Sequence, residues 1–184
     1  MNWNIPNILS MLRILAIPLI AAIYLSNLKY AGPIASAVFG IACVTDWLDG
    51  YLARKLNQTS RFGKFLDPVA DKLIVAVVLV LLVFEYDNIW LVLSAMIIIS
   101  REITISALRE WMAEVGQRSQ VAVSYIGKVK TTFQMIALLF LLWGKPVFGI
   151  NIFQLGLVLL IIAAALTLYS MFIYLKAAFA EQPA

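Results

Sequence analysis

The chain has 184 residues and a formal net charge of +4, and 63% of its residues are apolar whereas 13% are charged. Soluble domains are closer to half apolar and about a quarter charged, so the composition excludes an ordinary water-soluble globule and indicates an integral membrane protein. Histidine is absent and Cys43 is the only cysteine. This excludes disulfides within the chain, Cys/His zinc sites and a Ser-His-Asp triad. A metal must therefore have oxygen ligands, which favours magnesium or manganese.

Six apolar segments follow one another, most of them near the length of about 20 residues that crosses a bilayer as a helix. They cover residues 8–25, 33–53, 68–84, 89–108, 131–143 and 152–175, and the fifth is short unless it begins near Ile126. The polar stretch 110–124 predicts a short interfacial helix with Trp111 as its anchor. No linker or repeat separates the segments. We therefore predict one all-α membrane domain over residues 1–184, a bundle of six transmembrane helices plus the interfacial helix.

Lys and Arg are concentrated in the connection after the second segment and in the connection after the fourth. Positive charge marks cytoplasmic loops, so we expect a multi-pass protein with both termini and these two connections on the cytoplasmic side. The first segment lacks a basic leader and contains Arg13, so we do not interpret it as a cleaved signal peptide. Because the basic residues flank membrane spans, they indicate anionic lipids or an anionic substrate, and we expect no nucleic-acid partner.

Four aspartates gather where the second predicted helix ends and the third begins, in the stretch DWLDGYLARKLNQTSRFGKFLDPVAD over residues 46–71. Asp46 and Asp49 are three apart and Asp67 and Asp71 are four apart, so each pair shares one helix face. Asp67 followed by Pro68 predicts a helix N-cap. Four close carboxylates repel one another unless cations balance them. The pattern therefore predicts a site for two divalent ions, which could clamp a diphosphate.

Small and basic residues lie between the two aspartate pairs. Gly50 and Gly63 permit a close backbone approach by a nucleotide or phosphate, and Ala53 keeps the same surface shallow. Arg54 has a guanidinium that could bind a phosphate. A purely structural ring of ion pairs explains neither the spacing nor these small residues.

The pattern D-x2-D-G-x2-A-R-x8-G-x3-D-x3-D resembles that of the CDP-alcohol phosphatidyltransferases, and all eight of its fixed positions are filled over residues 46–71. The stretches IPNILSMLR (5–13), REITISALRE (101–110) and GKVKTTFQ (127–134) extend the resemblance to bacterial members that use glycerol 3-phosphate. A threonine is common in that family where Ser10 stands here, so the hydroxyl is retained. The resemblance covers nearly the whole chain.

The resemblance implies that CDP-diacylglycerol donates its phosphatidyl group to sn-glycerol 3-phosphate with release of CMP, in the cytoplasmic membrane of a bacterium. It implies that Asp71 is the general base and that a homodimer forms. It further implies metal ligands at Asp46, Asp49, Asp67 and Asp71. The implied cytidine diphosphate site is lined by Gly50, Ala53, Arg54 and Gly63.

The acceptor is a small dianion, which cationic side chains near the carboxylates would suit. We expect the glycerol-phosphate site to include Arg101, Arg109, Arg118, Lys128 and Lys130. The alternative is that these residues only anchor the protein to anionic lipid head groups. Asn7 and Arg13 are weaker candidates, and Arg13 could pair with a site carboxylate, bind a substrate phosphate or extend to the membrane interface.

Three other functions are compatible with parts of the pattern. A related transferase could use another acceptor, such as phosphatidylglycerol, inositol phosphate or serine, since the shared motif does not separate them. A divalent-cation transporter would place its carboxylates near mid-membrane, between broken helices, whereas here they crowd one end beside glycines. A non-catalytic membrane scaffold would not need the four aspartates.

Overall fold

A computed structural model describes the backbone of residues 5–55, 61–114 and 125–179, and the side chains of residues 8–46, 63, 65–114 and 129–176. The described backbone is helical apart from the connections, which confirms the predicted all-α class. In chain order the helices are α1 (Ile5–Tyr24), α2 (Ala31–Lys55), α3 (Arg61–Glu85), α4 (Ile89–Glu114), α5 (Tyr125–Trp143) and α6 (Ile152–Phe179).

The start of α3 differs from the prediction. The helix begins at Arg61, so Asp67 and Pro68 lie inside it and Asp67 is not its N-cap. Gly63 and Leu66, in the added turns, are buried. Tertiary packing of these turns outweighs the local capping signal, as it often outweighs propensity.

The end of α4 also differs. Residues 110–114 continue this helix instead of starting a separate interfacial one, so that part of the prediction is wrong. Met112 is 1% exposed, and its burial gives the extension a packing reason. The rest of the predicted interfacial helix, residues 115–124, lies outside the described part of the chain.

Large apolar side chains cover the outside of the bundle. Phe84 is 75% exposed, Phe172 69% and Ile103 66%. Helices α4 and α6 are long and apolar enough to cross a membrane, and α1, α2 and α5 contain shorter apolar stretches. Such a surface suits lipid better than water, which supports a membrane-associated protein.

The helices pack around one apolar core. Helix α1 contacts α2 and α3, α5 contacts α2, α3 and α6, and α4 contacts α3 and α6. Two glycines permit close approaches to α5, because a Cβ atom at Gly32 would lie 2.6 Å from the Leu142 carbonyl oxygen and one at Gly156 would lie 3.0 Å from Leu141 Cγ. The core consists mainly of Leu, Ile, Val and Ala.

The two ends of the bundle differ in chemistry. One end gathers the connections that follow α1, α3 and α5 around a cavity of about 460 Å³. At the other end a cavity of about 340 Å³ is lined by side chains of α2, α3, α4 and α5. The second cavity is lined by Asp46, Asp67 and Asp71, three of the four aspartates singled out by the sequence.

Candidate active site

Arg13 of α1 lies among carboxylates contributed by two other helices. Its Nη1 atom is 2.5 Å from Oδ1 of Asp46 and also contacts Oδ1 of Asp71. Its Nη2 atom is 3.6 Å from Oδ1 of Asp67. The Arg13 side chain is 2% exposed. One buried guanidinium thus brings three acidic side chains together.

The helix register explains this arrangement. Helix α1 packs on both α2 and α3, and Ser10 lies three residues before Arg13, on the same face. The Ser10 hydroxyl donates a hydrogen bond to Asp67. Ser10 and Arg13, one turn apart on the same face of α1, therefore orient the aspartates of α2 and α3.

The structure brings together three of the four aspartates that the sequence predicted. The side chain of the fourth, Asp49, lies outside the described residues. Within the described part of the chain, no group of three or more Asp, Glu, His or Cys residues is arranged as a metal site. The described carboxylates meet at Arg13 instead.

The charges and donor atoms of the site nevertheless fit a hard cation. Asp46, Asp67 and Asp71 carry three negative charges against the single positive charge of Arg13, and their side chains are 41–43% exposed. An all-oxygen donor set with excess negative charge is what magnesium and manganese prefer. The donor chemistry of these three side chains therefore fits a divalent cation.

The cavity has a second wall, formed by α4 and α5, which faces the aspartates. Lys72 of α3 reaches this wall and donates a hydrogen bond to Ser106, whose hydroxyl donates in turn to the Glu102 carbonyl oxygen at 2.5 Å. The lining residues on α4 and α5 are Glu102, Arg109, Thr131, Gln134 and Met135. The cavity thus combines an acidic wall with a wall of mixed charge.

Glu102 is held by two cations. Its Oε1 atom is 2.8 Å from Arg101 Nη1 and 3.0 Å from Lys130 Nζ. The Arg101 and Lys130 side chains are 6% and 5% exposed, and that of Glu102 is 27% exposed. Arg101 also donates to Ser170 Oγ at 3.1 Å. Both cations are therefore buried, and the carboxylate is the more accessible member of the cluster.

The predicted acceptor residues consequently separate into three groups. Arg109 lines the cavity, with its guanidinium 5.8 Å from the Tyr174 ring centroid. Arg101 approaches the same ring at 5.9 Å, but Arg101 and Lys130 are not among the described lining residues. Arg118 and the side chain of Lys128 lie outside the described part.

Most of the predicted cytidine diphosphate site lies outside the described side chains. Gly63 is buried in α3, and the backbone of α2 includes Gly50, Ala53 and Arg54. The side-chain surroundings of these three α2 residues lie outside the described part, as do those of Asn7 in α1.

Sequence reasoning did not assign a role to Lys72 or Glu102, although both line the cavity. A signal was present, because an ionisable residue within an apolar helix is a functional candidate by default. For Ser10 the signal is its spacing of three from Arg13, which puts both side chains on one face of α1.

Comparison with known proteins gives one consistent result. The sequence model of the CDP-alcohol phosphatidyltransferase family matches residues 3–170. The CDP-diacylglycerol–glycerol-3-phosphate 3-phosphatidyltransferase of Escherichia coli (strain K12) is 51% identical over 181 residues, which are 98% of each chain. The protein of the same name from Salmonella choleraesuis (strain SC-B67) is 51% identical over 178 residues, 97% of this chain and 96% of the relative.

Proposed function

The chain belongs to the CDP-alcohol phosphatidyltransferase family, and we propose that it transfers the phosphatidyl group of CDP-diacylglycerol to sn-glycerol 3-phosphate. The products are phosphatidylglycerophosphate and CMP, which makes the protein an enzyme of phospholipid biosynthesis. The observation that carries this proposal is the convergence of Asp46, Asp67 and Asp71 at one end of an apolar bundle, in a cavity that is also lined by the cations Lys72 and Arg109.

Asp71 is the proposed general base. The primary hydroxyl of the acceptor attacks the phosphorus that carries the diacylglycerol, the bond from that phosphorus to the CMP oxygen breaks, and the hydroxyl proton passes to the Asp71 carboxylate. A carboxylate is the natural proton acceptor in a chain without histidine. Asp71 lines the cavity, so it is accessible to a bound acceptor.

The proposed metal ligands are Asp46, Asp49, Asp67 and Asp71, which would hold two ions of Mg²⁺ or Mn²⁺. When bound, such ions supply positive charge that stabilises the diphosphate and the departing CMP. Gly50, Ala53, Arg54 and Gly63 are proposed to contact the cytidine diphosphate. Lys72 and Arg109, which line the cavity, are the described cations best placed for the phosphate of the acceptor.

All six helices are proposed to cross the cytoplasmic membrane of a bacterium, with both termini and the 340 Å³ cavity on the cytoplasmic side. This orientation is supported by the Lys and Arg residues of the connections after α2 and α4. It gives a soluble phosphorylated acceptor access from the cytosol, while the donor's acyl chains remain in lipid. We also propose a homodimer, as the family resemblance implies.

The test is an acceptor panel with the protein purified in detergent. CDP-diacylglycerol is mixed with glycerol 3-phosphate, inositol phosphate or serine, with Mg²⁺ or with a chelator, and the products are identified by mass. We expect phosphatidylglycerophosphate and CMP from glycerol 3-phosphate, only with the divalent ion. Preference for a different acceptor would contradict the proposed reaction and would indicate the reaction of another branch of the family.

Asp71→Asn tests the proposed base, because it keeps the shape of the side chain but cannot accept the proton. We expect the rate to fall by at least about a hundredfold, the usual contribution of a general base. Asp87→Asn is the matched control, since Asp87 is exposed in the connection between α3 and α4, at the other end of the bundle. Normal turnover by the folded Asp71→Asn protein would remove Asp71 from the reaction.

A further inference from the structure

Glu102 is an acidic residue on the side of the cavity opposite the aspartates. Among the described lining residues, the other carboxylates are those of Asp46, Asp67 and Asp71, which lie around Arg13. Glu102 would repel an anionic acceptor that enters this cavity, because like charges repel. Its position in the lining therefore calls for a functional explanation.

The contacts of Glu102 use one of its two oxygens. Arg101 and Lys130 both bond to Oε1, at 2.8 and 3.0 Å. Charge-assisted hydrogen bonds of this kind are short and strong, and two of them from different helices fix the orientation of the carboxylate. In the described structure, the contacts of the Glu102 carboxylate leave Oε2 available as a hydrogen-bond acceptor.

The surrounding charges remove the electrostatic objection to this residue. Two buried cations accompany the one negative charge of Glu102, so the cluster keeps one net positive charge. Lys72 and Arg109 add two further cations to the cavity lining. A phosphorylated acceptor therefore meets a wall that is cationic overall, with one anchored carboxylate in it.

We infer that Glu102 binds a hydroxyl group of the acceptor through Oε2 and thereby selects a phosphorylated polyol. Arg101 and Lys130 are then positioning residues that hold this carboxylate, instead of direct ligands of the acceptor's phosphate. The inference rests on the proposed function and deepens it. Since the attacking hydroxyl gives its proton to Asp71 on the other wall, the hydroxyl bound by Glu102 is the non-reacting one, on the middle carbon of glycerol 3-phosphate.

The decisive comparison uses two acceptors that differ in this hydroxyl. 3-Hydroxypropyl phosphate keeps the phosphate and the primary hydroxyl of glycerol 3-phosphate but lacks the secondary one. A hydrogen bond to a charged group changes a binding constant by roughly tenfold to a hundredfold. We expect wild-type kcat/KM to favour glycerol 3-phosphate by about that factor, and Glu102→Ala to reduce the preference to about threefold or less.

Variants separate this role from a merely structural one. Glu102→Ala leaves two cations buried without their partner, which can impair folding, so the double variant Glu102→Ala/Lys130→Met is measured as well. Both should raise KM for glycerol 3-phosphate, leave KM for CDP-diacylglycerol within about twofold, and lose the hydroxyl preference. Glu102→Asp should recover part of that preference. Glu110→Gln, at an exposed position on the same helix, is the matched control and should retain all of it.

The outcomes also distinguish this inference from the proposed function. If the wild-type protein does not use glycerol 3-phosphate at all, the proposed function fails. If it does, but Glu102→Ala and the double variant keep the full preference for the acceptor with the secondary hydroxyl, the role of Glu102 is wrong and the proposed function stands.

Discussion

Arg13 brings one positive charge into contact with carboxylates of two neighbouring helices while being 2% exposed. Arg13→Met removes these bonds and leaves the aspartates without their counter-charge. Breaking a buried ion pair costs about 3–5 kcal/mol. Because the aspartates are 41–43% exposed, solvent screens part of this cost, and we expect a loss of roughly 1–3 kcal/mol. Thermal unfolding of the purified protein in detergent measures it.

Arg13→Lys is the matched comparison, since lysine keeps the charge but loses the planar, multidentate donor group. Its stability should lie between those of wild type and Arg13→Met. Equal melting temperatures for all three proteins would show that the Arg13 contacts do not contribute to the folded state.

At the level of single residues, the aspartates were predictable, and pairing with a site carboxylate was one of the predicted roles of Arg13, but the ion pairs of Glu102 were not predicted. Charged residues in apolar segments are conspicuous, and spacings of three and four determine which of them share a helix face. Whether Lys130 faces the acceptor or bonds to Glu102 depends on the rotation of α5 against α4, which one sequence does not specify. The proposed acceptor site was therefore inferred from charge alone, and the ion pairs of Glu102 with Arg101 and Lys130 were missed.

Gly32 permits a close approach of α2 to α5 at the end of the bundle away from the aspartates. A Cβ atom there would lie 2.6 Å from the backbone carbonyl oxygen of Leu142, and backbone atoms cannot move aside cheaply. Gly32→Ala should therefore separate the two helices and destabilise the protein by about 1–3 kcal/mol, as overpacking does. The melting temperature in detergent is the measurement.

Gly40→Ala is the matched control for this substitution because it lies on the same helix. Its added Cβ would lie 3.3 Å from Leu139 Cδ2, the end of a flexible side chain that can shift. We expect a much smaller effect than at Gly32. If both variants were equally stable, the close approach of the backbones at Gly32 would not limit the packing.

The helices themselves were predictable from the apolar segments. Their ends were predictable only where a local capping residue determines them. Asn88 accepts hydrogen bonds from the backbone of Trp90 and Leu91, and Asn151 accepts one from Gln154; both are ordinary N-cap contacts. At the start of α3 the Asp67–Pro68 signal misled, because burial of Leu66 extends the helix beyond it. Long-range packing of this kind cannot be inferred from a local pattern.

At the scale of the molecule, polar and apolar groups are separated along the helices. The described polar groups of the candidate site, among them Asp46, Asp71 and Glu102, line a cavity at one end of the bundle. Between the two ends the helices pack on a core of apolar side chains, and α4 and α6 are long and apolar enough to cross a membrane. This separation keeps these charged side chains out of the middle of the bundle, where a lipid environment makes them most costly.

The orientation of the bundle gives the last prediction, and the single cysteine makes it measurable. In a Cys43→Ala background, single cysteines are introduced by Asp87→Cys in one connection, and by Gln58→Cys and Gln117→Cys in the two basic connections. Because Lys and Arg are retained on the cytoplasmic side, a membrane-impermeant maleimide should label position 87 in intact spheroplasts. Positions 58 and 117 should react only after permeabilisation.

Each variant must keep its transferase activity in membranes, so that the labelled protein is the folded enzyme. The reverse labelling pattern would place the aspartates and the cavity on the outer side, where a cytosolic phosphorylated acceptor could not reach them. A small dianion does not cross the hydrocarbon layer unaided. The proposed acceptor therefore requires the proposed orientation, and the reverse orientation would contradict both.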